Sequence, residues 1–121
     1  GNLKITDRKK EIIVNLGGDN ISPSKIENLL CRYEKVKQSF VYGDKKTYLV
    51  ALIVCENQEN KKEIEFYLEN LNKSLSLIEK VKKFKLIKEE FTIENGMLTP
   101  TLKLKRKKIL EKYKEELEKL Y

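Results

Sequence analysis

Apolar residues recur along this chain with two different periods, and the changes of period divide it into helices and strands. From Pro23 to about Tyr33 the apolar positions have helical spacing, which predicts a helix with one buried stripe. Gln38 to Tyr42 and Tyr48 to Cys55 are typical of strands, and the turn residues Gly43 to Lys46 indicate a hairpin between them. The second strand is apolar on both faces, which predicts a central strand covered by helices.

The second half of the chain continues the alternation of helices and strands. The spacing predicts a helix from about Glu59 to Glu79, with an interruption at Asn72 to Ser76, and a third core strand at Phe84 to Ile87. Glu89 to Leu102 is predicted to be an irregular connection that turns at Gly96. A last amphipathic helix is indicated by four apolar residues: Ile109, Tyr113, Leu117 and Leu120.

Two short strand-like runs near the start of the chain flank a charged turn. Leu3 to Thr6 alternates in polarity and Glu11 to Val14 is rich in β-branched residues, so Asp7 to Lys10 is predicted to be a hairpin tip. Gly17 and Gly18 follow in a loop where the backbone can approach another group closely. The predicted fold class is α+β, with a small three-stranded core sheet packed with helices and preceded by a two-stranded β-hairpin.

Length and composition limit the class of protein. A chain of 121 residues forms one domain with a modest core. With 37% charged and 40% hydrophobic residues it is predicted to be a soluble globular domain and not a disordered one. The sequence contains no long apolar run and no signal-peptide pattern, so it predicts neither a membrane span nor secretion.

Cysteine and histidine usage excludes several kinds of site. Cys31 and Cys55 lie far apart in apolar segments, which favours buried reduced thiols in a cytoplasmic protein over a disulfide or a metal pair. The sequence contains no histidine, which removes His-based triads, His-ligated zinc and the commonest general base.

The net charge of +7 allows nucleic acid, an anionic membrane or a phosphorylated small molecule as a partner. Most lysines alternate with glutamates along predicted helices, which is typical of a solvated face. Two clusters are purely basic: Arg8 to Lys10, and the group Lys103, Lys105, Arg106, Lys107 and Lys108. A nucleic-acid-binding module is disfavoured because the second cluster contains no aromatic residue.

Both basic clusters fall in segments that resemble motifs of a known enzyme superfamily. DRKKEIIV followed by GGDNISPSKIE, within residues 7–27, resembles the opening of the small C-terminal domain of adenylate-forming enzymes. This superfamily includes acyl-CoA synthetases, luciferases and peptide-synthetase adenylation domains. NGMLTPTLKLKRKKIL, at residues 95–110, resembles its closing lysine motif, and the overall pattern is most similar to long-chain fatty acid:CoA ligases.

The resemblance implies that residues 1–121 are the C-terminal lid domain of an AMP-forming ligase, with the N-terminal adenylation domain absent. Because Gly1 starts in mid-pattern, we interpret the chain as an excised fragment that is inactive alone, with Gly1 compatible with a remnant of tag removal. The implied substrates are a fatty acid, ATP and CoA, and the implied Mg²⁺ is bound mainly by the missing domain. The expected location is cytoplasmic, with peripheral membrane contact as a further option.

The resemblance also assigns roles to individual residues. It makes Lys103 the lysine that enters the active site during acyl-adenylate formation, with Lys105 as the alternative register. Many members of the superfamily have glycine just before this lysine, where this chain has Leu102. Lys10 corresponds to the hinge about which the domain rotates.

For two further assignments, an ordinary structural role stays open as the alternative to the functional one. Arg8 resembles the arginine near the adenylate ribose and is otherwise a surface charge, while Asp7 is expected to hold the turn. Gly17 and Gly18 resemble the loop that lines the CoA tunnel after rotation, and are otherwise an ordinary turn. The open alternatives for the whole domain are another acyl or aryl adenylate-forming ligase, a nucleic-acid-binding module, and an interaction domain that self-associates.

Overall fold

In a computed structural model, the described part of the chain, residues 12–121, contains five strands and three α-helices. The strands are β1 (Ile13–Val14), β2 (Asn20–Ile21), β3 (Gln38–Tyr42), β4 (Leu49–Val54) and β5 (Val81–Ile87); the helices are α1 (Pro23–Leu30), α2 (Lys61–Ser74) and α3 (Arg106–Glu118). Two short 3-10 helices, Gln58–Asn60 and Leu77–Glu79, flank α2. The predicted hairpin tip, with Arg8 and Lys10, lies outside the described residues.

Strand β4 is the centre of the core sheet, whose strand order is β3-β4-β5. β3 and β4 are antiparallel, with Gln38 opposite Val54 and Tyr42 opposite Val50. β4 and β5 are parallel, and α2 forms the crossover connection that a parallel pair requires. Every residue of β4 is buried, as the apolar pattern on both of its faces predicts.

The helices cover the two faces of this sheet and create two apolar clusters. One cluster packs α1 and α2 on the sheet, with Ile26, Leu30, Ile64 and Leu68 against Val41, Ala51 and Ile53. The other packs α3 on the opposite face, with Ile109, Tyr113 and Leu117 against Phe40, Val50, Leu52 and Val54. The core sheet with its helices and the small β1–β2 sheet confirm the predicted α+β fold class. β1 pairs with β2 across the loop of Gly17 and Gly18, and the predicted partner strand, Leu3 to Thr6, lies outside the described residues.

Three predicted boundaries differ from the observed ones by three residues or more. α1 ends at Leu30 because a tight turn follows, and Tyr33 instead stacks on Tyr67 of α2 with ring centroids 4.7 Å apart. α2 ends at Ser74, inside the predicted interruption. β5 begins at Val81, three residues before the predicted start, because Asn72 forms hydrogen bonds to both backbone groups of Val81.

The prediction for the two cysteines is half right. Cys31 and Cys55 are not joined in a disulfide, and Cys55 is buried as expected. Cys31 is exposed, because it follows the last turn of α1 and falls outside the buried stripe of that helix.

Across residues 12–121, none of the helices has both the length and the apolar character needed to cross a bilayer.

Candidate functional site

The connection between β5 and α3 has a defined structure, because side chains hold its backbone. Phe91 is 2% exposed and anchors the start of the connection in the core. The amide of Gln38 pairs with both backbone groups of Phe91: the backbone N–H donates to Oε1 at 2.7 Å, and Nε2 donates to the carbonyl at 2.9 Å. Thr92 and Asn95 then close a turn with reciprocal hydrogen bonds of 3.0 Å, and Gly96 follows with φ of +81°.

Lys103 lies directly after a tight three-residue hairpin loop. The Thr99 N–H donates to the Lys103 carbonyl at 2.8 Å, and the Leu102 N–H donates to the Thr99 carbonyl at the same distance. Leu102 adopts a left-handed φ of +65°. These hydrogen bonds are typical of a β-turn followed by a residue in the left-handed conformation. Glycine adopts that conformation most easily. Leu102 therefore occupies a glycine-type backbone position directly before Lys103.

The side chain of Lys103 is exposed, and its backbone N–H is fixed by the Thr99 hydroxyl at 3.1 Å. Within the part of the chain that the structure describes, no carboxylate forms an ion pair with Lys103. Lys105, two residues later, is also exposed, and its N–H donates to the Met97 carbonyl at 2.8 Å. The loop thus presents both lysines to solvent from a hydrogen-bonded frame.

One member of the basic cluster has a structural partner that sequence reasoning missed. Arg106 forms two hydrogen bonds to the carboxylate of Glu27, at 2.6 and 2.8 Å, and Glu27 is 6% exposed. Glu27 also accepts the Val41 N–H at 2.8 Å, and the guanidinium lies 5.6 Å from the ring centroid of Phe40. The available signal was an acidic residue beside the apolar stripe of α1, at the end of the first motif.

The other basic residues near Lys103 begin α3. Lys107 and Lys108 are exposed, and the first turn of this helix contains no acidic residue. Positive side chains are unfavourable next to the partial positive charge of a helix N-terminus. The start of α3 is therefore a local concentration of positive charge that an approaching anion would relieve.

Gly17 and Gly18 form the loop between β1 and β2, with the same backbone pattern as the loop before Lys103. The Asn15 N–H donates to the Asp19 carbonyl at 3.1 Å, and the Gly18 N–H donates to the Asn15 carbonyl at 3.0 Å. Gly18 has φ of +85°, the counterpart of Leu102 in the other loop. Both glycines are exposed, and an added Cβ at Gly18 would have no heavy atom within 4 Å.

The two candidate elements lie toward opposite ends of α3. Lys103 is three residues before the first residue of α3. The glycine loop is tied to Lys46 by a 2.9 Å hydrogen bond from Leu16, and the Lys46 ammonium pairs with Glu118 in the last turn of α3 at 2.7 Å. A helix of 13 residues spans about 20 Å. No described contact joins Lys103 to the glycine loop.

Several titratable groups at and after the C-terminal end of α3, toward the glycine loop, have shifted pKa values. The ion pair with Lys46 lowers the pKa of Glu118, and the hydrogen bond to Glu118 raises the pKa of Lys46. Burial raises the pKa of Tyr121, whose hydroxyl donates to the Tyr48 carbonyl at 2.8 Å. Among residues 12–121, no group of three or more acidic or cysteine side chains could hold a metal ion.

Sequence comparison relates the chain to acyl-CoA ligases. A family model for the AMP-binding enzyme C-terminal domain matches residues 10–121. The chain is 34% identical over 145 residues to the long-chain-fatty-acid–CoA ligase FadD15 of Mycobacterium tuberculosis, covering 100% of this chain and 24% of that protein. It is 36% identical over 146 residues to human long-chain-fatty-acid–CoA ligase 6, covering 100% of this chain and 21% of that protein. The chain spans about a quarter or less of these relatives.

Solved structures show the same relationship in three dimensions. The adenylation domain of a carboxylate reductase from Mycobacterium chelonae matches with a TM-score of 0.82 and 30% identity, covering 94% of this chain and 20% of that chain. A didomain of the carboxylic acid reductase from Segniliparus rugosus, in complex with AMP, matches with a TM-score of 0.79 and 28% identity, covering 94% and 17%.

Proposed function

The chain belongs to the AMP-binding enzyme C-terminal domain family, and from this we propose that residues 1–121 are the C-terminal lid domain of an AMP-forming long-chain fatty acid:CoA ligase. Its partner is the N-terminal adenylation domain of the same protein. The carboxylate is first activated by ATP to an acyl-adenylate with release of pyrophosphate, and the adenylate is then converted to the CoA thioester. The match to FadD15 over the whole chain supports the long-chain class.

Lys103 is the residue to which we assign the adenylation step. The observation that carries this assignment is an exposed lysine directly after Leu102, whose left-handed backbone suits the glycine that many members of the superfamily have at this position. In this step two anions must meet, so a fixed ammonium that contacts both orients the carboxylate and stabilises the developing charge. One charge pair at about 4 Å is worth about 4 kcal/mol at an effective dielectric constant near 20, or roughly a thousandfold in rate.

The glycine loop is assigned to the second half-reaction. Gly17 and Gly18 carry no side chain that would obstruct a thiol approaching the adenylate. The placement of this loop and Lys103 toward opposite ends of α3 supports a domain that uses one surface for each step. In this scheme Lys10 is the hinge between the two poses and Arg8 contacts the ribose, and both remain predictions.

ATP, CoA and the fatty acid are substrates here, and Mg²⁺ is the implied cofactor. The resemblance to the superfamily assigns this ion mainly to the N-terminal adenylation domain, so we give it no role at Lys103. Peripheral contact with a membrane and self-association of the fragment stay predictions from the net charge and the missing domain.

The test uses the full-length ligase that contains this chain, with Lys103→Ala. Acyl-adenylate formation from ATP and palmitate is measured separately from thioester formation from supplied palmitoyl-adenylate and CoA. We expect the first rate to fall roughly a thousandfold and the second to change little. Lys62→Ala, which removes an exposed lysine of α2, is the matched control.

Two other outcomes would redirect the assignment. If Lys103→Ala leaves adenylation unchanged and Lys105→Ala abolishes it, the motif register is shifted by two residues. If neither variant affects adenylation, the lysine assignment is refuted. Loss of both half-reactions in equal measure would also refute it, because a role confined to adenylation cannot produce that result.

A second candidate function is favoured by the structural matches. The carboxylate reductase adenylation domains share at least 28% identity with this chain. The alternative is therefore the C-terminal domain of another acyl or aryl adenylate-forming enzyme. Both candidates activate a carboxylate with ATP, so palmitoyl-CoA formation by the full-length parent distinguishes the two: its absence, with adenylation intact, favours the second.

A further inference from the structure

The turn between β3 and β4 holds the hairpin that carries Gly17 and Gly18. We propose that Lys46, in this turn, is a positioning residue that sets the place of the glycine loop. The inference rests on the proposed function, in which this loop lines the path of the CoA thiol. Lys46 acts through its backbone on the loop and through its side chain on the end of α3.

Three hydrogen bonds join the turn to β1 and to Leu16, which follows this strand. The Leu16 N–H donates to the Lys46 carbonyl at 2.9 Å, and the Lys45 N–H donates to the Val14 carbonyl at 2.8 Å. The Val14 N–H donates to Oδ1 of Asp44 at 3.3 Å. These bonds place the turn alongside β1, like a neighbouring strand.

Within residues 12–121, the sheet of this hairpin is very small. β1 and β2 pair through only Ile13 with Ile21 and Val14 with Asn20, among the described residues. Ile13 and Ile21 are buried, but Val14 is 41% exposed and Leu16 is 67% exposed. A hairpin of this size is not stable alone in water, so the turn is the fixed neighbour that locates the loop beyond Leu16.

The side chain of Lys46 fixes the turn to the C-terminal end of α3. Its ammonium pairs with Glu118 at 2.7 Å and lies 5.0 Å from the ring centroid of Tyr121. Glu118 also accepts the Tyr42 hydroxyl at 3.2 Å, so the end of β3 joins the same network. The pKa of Glu118 is lowered and that of Lys46 is raised, chiefly by their mutual hydrogen bond. The charged pair therefore persists at neutral pH.

The turn itself is tightly seated on β4, which makes it a firm support. A Cβ added to Gly43 would lie 2.4 Å from Cδ2 of Leu49, so the backbone there packs directly on the first residue of β4. Because the turn packs on β4 and Lys46 pairs with the end of α3, the positions of β4 and α3 determine where the turn holds the glycine loop.

The experiment uses the full-length ligase with Lys46→Met, which keeps the apolar stem and removes the charge, and Lys46→Arg, which keeps the charge. Lys25→Met is the matched control, because Lys25 forms an exposed 3.0 Å ion pair with Glu79 in another part of the domain. The measurements are the two half-reaction rates and the hydrogen exchange of the Leu16 amide. This amide reports directly on its bond to the Lys46 carbonyl.

For Lys46→Met we expect at least a tenfold loss in thioester formation, adenylation within twofold of the parent, and faster exchange at Leu16. Lys46→Arg should recover most of the thioester rate, and Lys25→Met should change none of the three measurements. Asp44→Ala should reproduce a smaller loss, and Asp44→Asn, which keeps an acceptor for Val14, should not.

Unchanged thioester formation in Lys46→Met, or an equal loss in both half-reactions, would overturn the inference. If the unmodified full-length enzyme forms no thioester, the proposed function is refuted, and the role of Lys46 in thioester formation is refuted with it. Exchange at Leu16 still decides in that case whether Lys46 holds the loop.

Discussion

Arg106 donates two hydrogen bonds to the carboxylate of Glu27, and the pair links α3 to α1 around the outer edge of β3. Glu27 uses the same carboxylate to accept the Val41 N–H from that edge. Because Arg106 begins α3 and lies three residues after Lys103, this ion pair fixes the position from which the lysine loop projects. The two-bond contact nearest Lys103 is thus a largely buried ion pair between two helices of the domain.

Removing one member of this pair should destabilise the domain strongly. We expect Glu27→Leu to lower the free energy of unfolding by about 3 to 5 kcal/mol, because it leaves a largely buried guanidinium without its carboxylate. Chemical denaturation of the chain measures this loss. Glu63→Gln, which breaks the exposed 3.9 Å pair with Lys35, is the control and should cost less than about 1 kcal/mol.

The double variant Glu27→Leu with Arg106→Met tests the origin of that loss. We expect it to be more stable than Glu27→Leu alone, because no buried charge then lacks its partner. Strict additivity of the two single changes would show that the two side chains contribute independently, contrary to the geometry.

Leu102 and Gly18 occupy equivalent positions in two loops of the same type, which allows opposite substitutions to be compared. Leu102→Gly should raise the free energy of unfolding by up to about 1 kcal/mol, because it removes the left-handed penalty of a residue with Cβ. Leu102→Val should lower it by about 1 kcal/mol or more, since β-branched residues fit this conformation worst. Thermal unfolding of both variants measures the difference.

The counterpart is Gly18→Ala, which should cost about 1 kcal/mol. The added Cβ meets no atom within 4 Å, so this cost is due to backbone conformation alone. If Leu102→Gly were instead destabilising and Gly18→Ala neutral, the left-handed conformations of these two residues would not account for the changes in stability.

Gln38 should control the order of the connection that leads to Lys103. Gln38→Ala removes both hydrogen bonds to the partly buried backbone of Phe91, and we expect a loss of about 1 to 3 kcal/mol. Hydrogen exchange at the Phe91 amide should become faster. Gln38→Glu keeps the acceptor for this amide but loses the donor, so its exchange should be closer to that of the parent.

The stability of the domain should fall at alkaline pH. Burial, together with the neighbouring carboxylate of Glu89, raises the pKa of Tyr113 from 10.0 to about 12. The unfolded state releases this proton first, so the stabilisation is complete below about pH 10 and is lost as the pH rises through about 12. Its magnitude is about 2 to 3 kcal/mol.

Tyr113→Phe isolates this contribution. The variant should lose up to about 1 kcal/mol at neutral pH with the hydroxyl bond to Glu89, but its stability should decline less between pH 9 and pH 12. Denaturation midpoints across this range measure the slope. An unchanged slope would assign the alkaline loss to other groups, of which Tyr121 has its pKa raised by burial.

The elements that the sequence predicts well are those with a strong local pattern. β3 has the predicted boundaries, because Phe40 to Tyr42 have strand propensity and Gly43 follows them. β4 differs by one residue at each end, and its pattern is an unbroken apolar run. β2 has two residues and no alternation, so the sequence pattern does not indicate a strand there. Hydrophobic periodicity indicates which face of a strand a residue occupies, and it says little about strands of two residues.

The contacts that define the site are harder to predict because they depend on distant parts of the chain. Glu27 and Arg106 are 79 residues apart, and nothing local marks either as the partner of the other. The left-handed conformation of Leu102 is hidden in the sequence because leucine does not signal a turn. The firm support of the glycine loop by Lys46 was likewise invisible, since a lysine in a turn usually faces water.

The two edges of the core sheet are protected from adding further strands. On β3, Glu27 accepts the N–H of Val41, while β5, which pairs only with β4 among the described residues, carries the exposed lysines Lys82, Lys83 and Lys85. Charged edge residues and occupied backbone groups prevent edge-to-edge aggregation. We therefore expect the domain to move away from a neighbouring surface, or to be produced by itself, without the sheet becoming a template for amyloid-like assembly.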